Sequence, residues 1–166
     1  MSKIAFIDLE ASGLGSMSWP AEVGWCFEGG KPEAHLIAPA PEWSEEAWSK
    51  EAEALHGLSI DKLKKSGKPI RDICKKLNAA LGEAQVYSDA PDWDSYWLYR
   101  LFSSGGVRQQ FTLKYFGDLL GGVSKEEIKA IMNRASEIAP HTHRAREDVL
   151  HMKAIFELAA KAAAQN

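Results

Sequence analysis

The chain has 166 residues, of which 45% are hydrophobic, and a formal net charge of −3. This length suits one well-packed domain, expected to span residues 1–166, and is too short for two ordinary ones. The acidic balance argues against a protein that grips long duplex nucleic acid through many phosphates, although bound cations would change the sign of an acidic site. We find no signal peptide or membrane span, which predicts a cytoplasmic protein without a membrane partner.

The first quarter of the chain has the alternation and turn residues of an antiparallel meander. Its strands are predicted at residues 3–9, 22–28 and 34–38. Gly29-Gly30-Lys31 is typical of the hairpin turn between the last two strands. Cys26 and Cys74 are far apart in apolar or helical surroundings, which indicates buried reduced thiols.

Helices dominate the rest of the chain, with one further strand predicted at residues 84–87 and an apolar segment near 111–120. Capping and breaking residues delimit these helices. They are predicted at residues 44–55, 59–67, 69–81, 92–102, 124–138 and from about 144 onward. Strands followed by mixed strands and helices indicate an α/β domain with one mixed sheet flanked by helices.

The first strand ends in "FIDLEASGL", where Asp8 and Glu10 lie on the same face because strand residues i and i+2 point the same way. Two adjacent carboxylates repel each other and are costly to desolvate unless a cation or hydrogen-bond donors neutralise them. The alternative is that the pair simply begins a solvated loop. Gly13 and Gly15 would let the backbone approach a ligand there.

The last predicted helix carries a second acid on a face that should be buried. Asp148 has the helical spacing of an apolar stripe formed by Met152, Ile155 and Ala159. The alternative is a surface pair with Arg144, one helical turn earlier. His143 precedes Asp148 by five residues and cannot share its helical face, so a joint role requires His143 to lie on the loop before the helix.

The segment "SDAPDWDSYWLYRLF" contains three further acids. Asp94 shares a helical face with Trp97, Leu98 and Leu101, which predicts that it points inward. Asp92 has the position of an N-cap residue, and Asp89 that of a strand-end or turn residue. The acids expected on buried faces are therefore Asp8, Glu10, Asp94 and Asp148. Hard divalent cations with oxygen ligands, Mg²⁺ or Mn²⁺, would stabilise such a set.

These motifs resemble those of the DEDDh group of 3′–5′ exonucleases, which have the ribonuclease-H-like fold. "FIDLEASGL" resembles the first motif, "SDAPDWDSYWL" the second and "HRAREDVLHM" the third, in family order. The resemblance implies a ribonuclease-H-like, mixed five-stranded sheet flanked by helices. One departure concerns the second motif, where many members have Asn four residues before the Asp and this chain has Ala90.

The resemblance also implies a hydrolase that removes terminal nucleotides from the 3′ ends of single-stranded RNA or DNA, using two Mg²⁺ or Mn²⁺ ions. The ions would be held by Asp8, Glu10, Asp94 and Asp148. His143 would act as the general base. Substrate contacts are expected from Ser12, Gly13, Leu14 and His56.

Two other functions remain open from the sequence. One is a non-catalytic module of the same fold that binds nucleic acid or a protein. The other is a hydrolase of nucleotides or small phosphodiesters. The choice between RNA and DNA, and between a monomer and a homodimer, is also open.

Overall fold

The computed structural model describes residues 2–165 and has a five-stranded sheet at its centre. The strands are β1 (Ile4–Ala11), β2 (Pro20–Phe27), β3 (Glu33–Leu36), β4 (Gln85–Ser88) and β5 (Leu113–Tyr115). Their order across the sheet is β3-β2-β1-β4-β5. β2 is antiparallel to β1 and β3, whereas β4 and β5 continue parallel to β1. The predicted mixed, five-stranded sheet is confirmed.

In the described part of the chain, six α-helices flank this sheet. They are α1 (Lys50–His56), α2 (Ile60–Ser66), α3 (Ile70–Leu81), α4 (Pro91–Gly105), α5 (Lys125–Ile138) and α6 (Ala145–Ala163). Short 3₁₀ helices span Glu45–Ala47 and Phe116–Leu120. Within residues 2–165, none of the helices combines the length and apolar character required to cross a membrane.

The predicted helix over residues 44–55 is wrong as a single element. The Ser44 side chain accepts a hydrogen bond from the Glu46 amide and begins a 3₁₀ turn. Trp48 is then extended, and Ser49 caps a new helix by accepting from the Ala52 amide. Two serines five residues apart therefore begin two short helices, because each satisfies its own set of free amides.

The N-terminus of α4 also differs from the prediction. Ala90 occupies the N-cap and Pro91 the first helical position, so Asp92 lies in the first turn and is not the cap. Proline suits that position because its fixed φ is helical and its missing N–H would have no partner there. The acids of this turn are favoured by the positive end of the helix dipole.

The alternating side chains of β1 pack into two different cores. One face contributes Ala5, Ile7 and Leu9 to a cluster with apolar residues of α3 and α4. The other face contributes Phe6 to a cluster with Val149, Met152 and Ile155 of α6. Since Asp8 and Glu10 share the face of Phe6, the period of the strand directs both carboxylates toward α6.

Candidate active site

Carboxylates from three elements converge where β1 ends. Asp8, Glu10 and Asp148 each place an oxygen within 4.8 Å of the other two, and so do Asp8, Asp89 and Asp94. The structure thus brings together all four predicted acids and adds Asp89, which the sequence suggested only as a strand-end or turn residue. Asp8, Asp94 and Asp148 are 9%, 1% and 3% exposed, respectively. Asp89 is exposed.

Asp94 is fixed by the end of β4 and by β1. The Ser88 hydroxyl donates to Asp94 Oδ2, and the Leu9 backbone also hydrogen-bonds to this carboxylate. Ser88 Oγ accepts in turn from the Ala90 amide at 3.0 Å. Ala90 therefore contributes through its backbone, which the sequence pattern did not indicate.

Asp148 is held by the loop that precedes α6. The Thr142 amide donates to Asp148 Oδ1 at 2.8 Å, and His141 Nε2 lies 3.3 Å from Asp148 Oδ2. The alternative of a helical pair between Arg144 and Asp148 is wrong, because Arg144 is extended and precedes the first turn of α6. Helical spacing does not apply to a residue outside the helix.

Arg144 instead pairs with Glu22, a buried residue of β2. The Glu22 carboxylate accepts from Arg144 Nε and Nη2 at 3.1 and 2.7 Å, and from the Ala145 amide at 2.8 Å. Gly24 allows the close approach that this contact requires, since a Cβ there would lie 2.8 Å from the carbonyl carbon and oxygen of Ala145. The α6 N-terminus is therefore anchored directly to β2. The sequence signal that could have indicated the contact between Glu22 and Arg144 was the presence of an acid, Glu22, within the apolar run of β2.

His143 lies on the loop before α6, outside the helix, as its spacing from Asp148 requires. Its φ is +56°, a left-handed conformation that non-glycine residues adopt rarely and often at functional sites. A ring nitrogen of His143 lies within 4.8 Å of ligand atoms of both His141 and Asp148. The imidazole is therefore close to the carboxylate cluster without lying on α6.

The cluster is electrostatically unfavourable without a cation. Burial is the largest cause that raises the pKa values of Asp8, Glu10, Asp94 and Asp148, and repulsion from neighbouring carboxylates raises those of Asp8 and Glu10 further. The pKa reaches about 8 for Glu10 and for Asp94. Among residues 2–165, Asp8 Oδ2 is the buried side-chain oxygen that has no hydrogen-bond partner. An oxygen-only donor set with an unpartnered oxygen fits divalent cations.

The four residues expected to contact substrate occupy different environments. Ser12 is buried, and its hydroxyl accepts from the Trp19 amide at 2.9 Å. His56 is also buried, with Nε2 3.0 Å from the Ala11 carbonyl oxygen and Nδ1 accepting from the Leu58 amide. Gly13 is buried, whereas the side chain of Leu14 is 71% exposed. Leu14 is therefore the member of this group whose side chain is free to meet a ligand.

An apolar cavity of about 800 Å³ opens beside the carboxylates. Asp89 and His141 line it on the side of the cluster, and Tyr115 lies at the end of β5. Its remaining walls come from the segment after β5 and from α5 and α6, including Met132 and Ile155. The cavity has room for a planar group the size of a nucleobase, and it borders the acidic site because Asp89 belongs to both.

The strand order, the helices on both faces and the acids at the end of β1 define a ribonuclease-H-like fold of the kind found in exonucleases. Among solved structures, the chain is similar to E. coli exonuclease I in complex with a dA16 oligonucleotide, with a TM-score of 0.77 and 13% identity over 97% of this chain and 41% of that one. It is also similar to the moderately thermophilic exonuclease I of Methylocaldum szegediense, with a TM-score of 0.74 and 15% identity over 97% and 41% of the two chains.

At these identities the similarity establishes the fold. The chain spans about two fifths of the length of these exonucleases. No protein-family model matches the sequence, and no curated protein sequence matches it significantly.

Proposed function

We propose that the chain is a divalent-metal-dependent 3′–5′ exonuclease that hydrolyses terminal phosphodiester bonds of single-stranded nucleic acid. The observation that carries this proposal is the convergence of Asp8, Glu10, Asp94 and Asp148, together with a buried oxygen of Asp8 that has no hydrogen-bond partner. Such an arrangement is unfavourable for the fold alone, because a buried unpaired charge is costly. A binding module of the same fold would not need it.

These four carboxylates are the proposed ligands of two Mg²⁺ or Mn²⁺ ions. When bound, the ions would lower the pKa of a water molecule and offset the charge that develops on the phosphate. An imidazole nitrogen of His143 would accept the proton of the attacking water, since histidine titrates near neutral pH. The loop before α6 places this ring close to Asp148 without committing it to a helix.

Two features support a single-stranded substrate. The chain has a formal net charge of −3, whereas proteins that bind long duplexes through many phosphates are typically basic. In addition, the cavity next to Asp89 and His141 offers an apolar wall to an unpaired base, with Tyr115 available for stacking. The related fold of E. coli exonuclease I has been captured with a dA16 oligonucleotide, which makes single-stranded DNA a suitable first test.

The experiment uses 5′-labelled single-stranded DNA and RNA oligomers with Mg²⁺, Mn²⁺ or EDTA. A ladder of products that shorten from the 3′ end is expected with metal and not with EDTA. Asp8→Asn should give no ladder. Asp92→Asn, which changes an exposed acid in the first turn of α4, serves as the matched control and should remain active.

Circular single strands distinguish the mechanisms, because an exonuclease cannot start on them. Cleavage of a circle would contradict the exonuclease proposal. Binding of oligomers without any product in either metal would instead indicate a non-catalytic module. Hydrolysis of small phosphodiesters without shortening of oligomers would indicate a nucleotide or phosphodiester hydrolase.

A further inference from the structure

Beside the carboxylates lies a group of imidazoles that the proposed mechanism uses only in part. His141, His143 and Asp148 each offer a ligand atom, and these atoms lie within 4.8 Å of one another. The rings of His141 and His143 are 4.7 Å apart between centroids and nearly perpendicular. His141 Nε2 is 3.3 Å from Asp148 Oδ2. His141 has no role in the hydrolysis proposed above.

The chemistry of this set differs from that of the neighbouring acids. Mg²⁺ and Mn²⁺ prefer oxygen ligands, whereas Zn²⁺ binds well to imidazole nitrogen. Two histidines and one carboxylate form a frequent protein ligand set for Zn²⁺, with a fourth position left for water. We propose that His141, His143 and Asp148 form a Zn²⁺-binding site that shares Asp148 with the carboxylate cluster.

The local structure arranges these ligands for one ion. The Thr142 amide occupies Asp148 Oδ1, so Oδ2 is the oxygen directed toward His141. The His141 side chain is 41% exposed, which gives an ion access from solvent. His151 packs near His141, but its Nδ1 donates to the Ala139 carbonyl oxygen at 2.7 Å. This hydrogen bond stabilises the loop before α6.

Zn²⁺ at this site would prevent two side chains from taking part in the proposed hydrolysis. His143 could no longer accept a proton, and Asp148 would have one oxygen committed to Zn²⁺. Mg²⁺ should not displace the ion efficiently, because imidazole favours Zn²⁺ strongly. Zn²⁺ is therefore expected to inhibit the Mg²⁺-dependent activity. The inhibition rests on the proposed nuclease function, whereas the binding does not.

Binding is tested on the full chain by competition with a chromophoric Zn²⁺ chelator in the presence of excess Mg²⁺. His141→Ala and His143→Ala should each weaken the affinity at least about 10-fold, because even the loss of a partner outside the ligand set typically costs 10–100-fold. His35→Ala is the matched control. His35 pairs with Glu33 and packs on Trp25, on the sheet face opposite α6, and its loss should leave the affinity unchanged.

Imidazole ¹⁵N resonances give a readout that is independent of activity. Addition of one equivalent of Zn²⁺ should shift the signals of His141 and His143 and leave that of His35 in place. Equal Zn²⁺ affinity in wild type and His141→Ala, or unshifted His141 and His143 signals, would overturn the site. If Zn²⁺ binds with these signatures but Mg²⁺-dependent cleavage does not occur even without Zn²⁺, the site stands and the proposed nuclease function fails.

Discussion

Asp8→Asn is expected to stabilise the metal-free protein while abolishing its nuclease activity. Asp8 is buried, one of its oxygens has no partner, and Glu10 lies on the same strand face. Burial raises the pKa of Asp8 well above its usual range, and repulsion from Asp94 and Glu10 raises it further, so the ionised Asp8 carboxylate opposes folding. Each unit by which folding raises the pKa of a carboxyl destabilises the ionised folded state by about 1.4 kcal/mol.

The neighbouring carboxyls share protons, so the removal of one charge relieves only part of this free energy. We expect a gain of about 1–3 kcal/mol in the free energy of unfolding for Asp8→Asn at pH 8 in EDTA. For a chain of this length, the melting temperature should rise by about 2–10 °C. Added Mg²⁺ should stabilise the wild type and have a smaller effect on the variant, because the variant has lost a proposed ligand.

Differential scanning calorimetry in EDTA and in Mg²⁺ measures both effects, and oligomer cleavage measures the activity. Asp92→Asn controls for the loss of a carboxylate near the site. It should change stability by no more than the roughly 0.3–1 kcal/mol of a helix-dipole interaction and should retain turnover. An Asp8→Asn protein that melts below the wild type in EDTA at pH 8, or that cleaves at the wild-type rate, would contradict this prediction.

Three further outcomes are expected. The metal-free protein should lose stability as pH rises from about 5 to 8, because carboxyls with raised pKa values, such as Glu10, bind protons in this window only when the chain is folded. Urea denaturation in EDTA measures the free energy of unfolding at each pH, and a free energy that rises over this range would contradict the prediction. His143→Ala should lower kcat by about 10²–10⁴-fold with little change in Mg²⁺ affinity; steady-state kinetics and metal titration check this, and a wild-type kcat would remove His143 from the mechanism. Gly24→Ala should lower the free energy of unfolding by about 1–3 kcal/mol, since its Cβ would meet the backbone of Ala145, whereas Gly15→Ala has open space and should be nearly neutral in the same assay.

Features that depend on a few neighbouring residues could be predicted from the sequence. The capping box at Ser124 and Glu127 fixes the start of α5 through hydrogen bonds that span three residues. The period-two pattern of β1 placed Asp8 and Glu10 on one face, and the helical stripe of α6 placed Asp148 inward. The prediction that these acids lie close together followed from the resemblance of the three ordered motifs to those of the DEDDh exonucleases. Their catalytic role stays a prediction.

Local signals were insufficient where two of them compete. Residues 44–55 have helical composition throughout, but both Ser44 and Ser49 can cap a helix, and the chain uses both. Arg144 and Asp148 have the spacing of a helical pair, but Arg144 precedes the helix and is taken by Glu22. In each case the deciding factor is the backbone conformation of a residue that composition alone does not specify.

The contacts that hold the candidate site together were decided by the tertiary structure. Glu22 and Arg144 are 122 residues apart and meet only because α6 packs on β2 at Gly24. Asp89 joins the cluster because β4 lies parallel to β1 and ends beside it. Which side chains could bind a cation, and which faces they occupy, could be predicted from the sequence, since both follow from residue chemistry and from the periods of strand and helix. The distances between these side chains, and the protons that their carboxyls share, depend on the strand order and on where α6 packs on the sheet. Both are set by packing across the whole core.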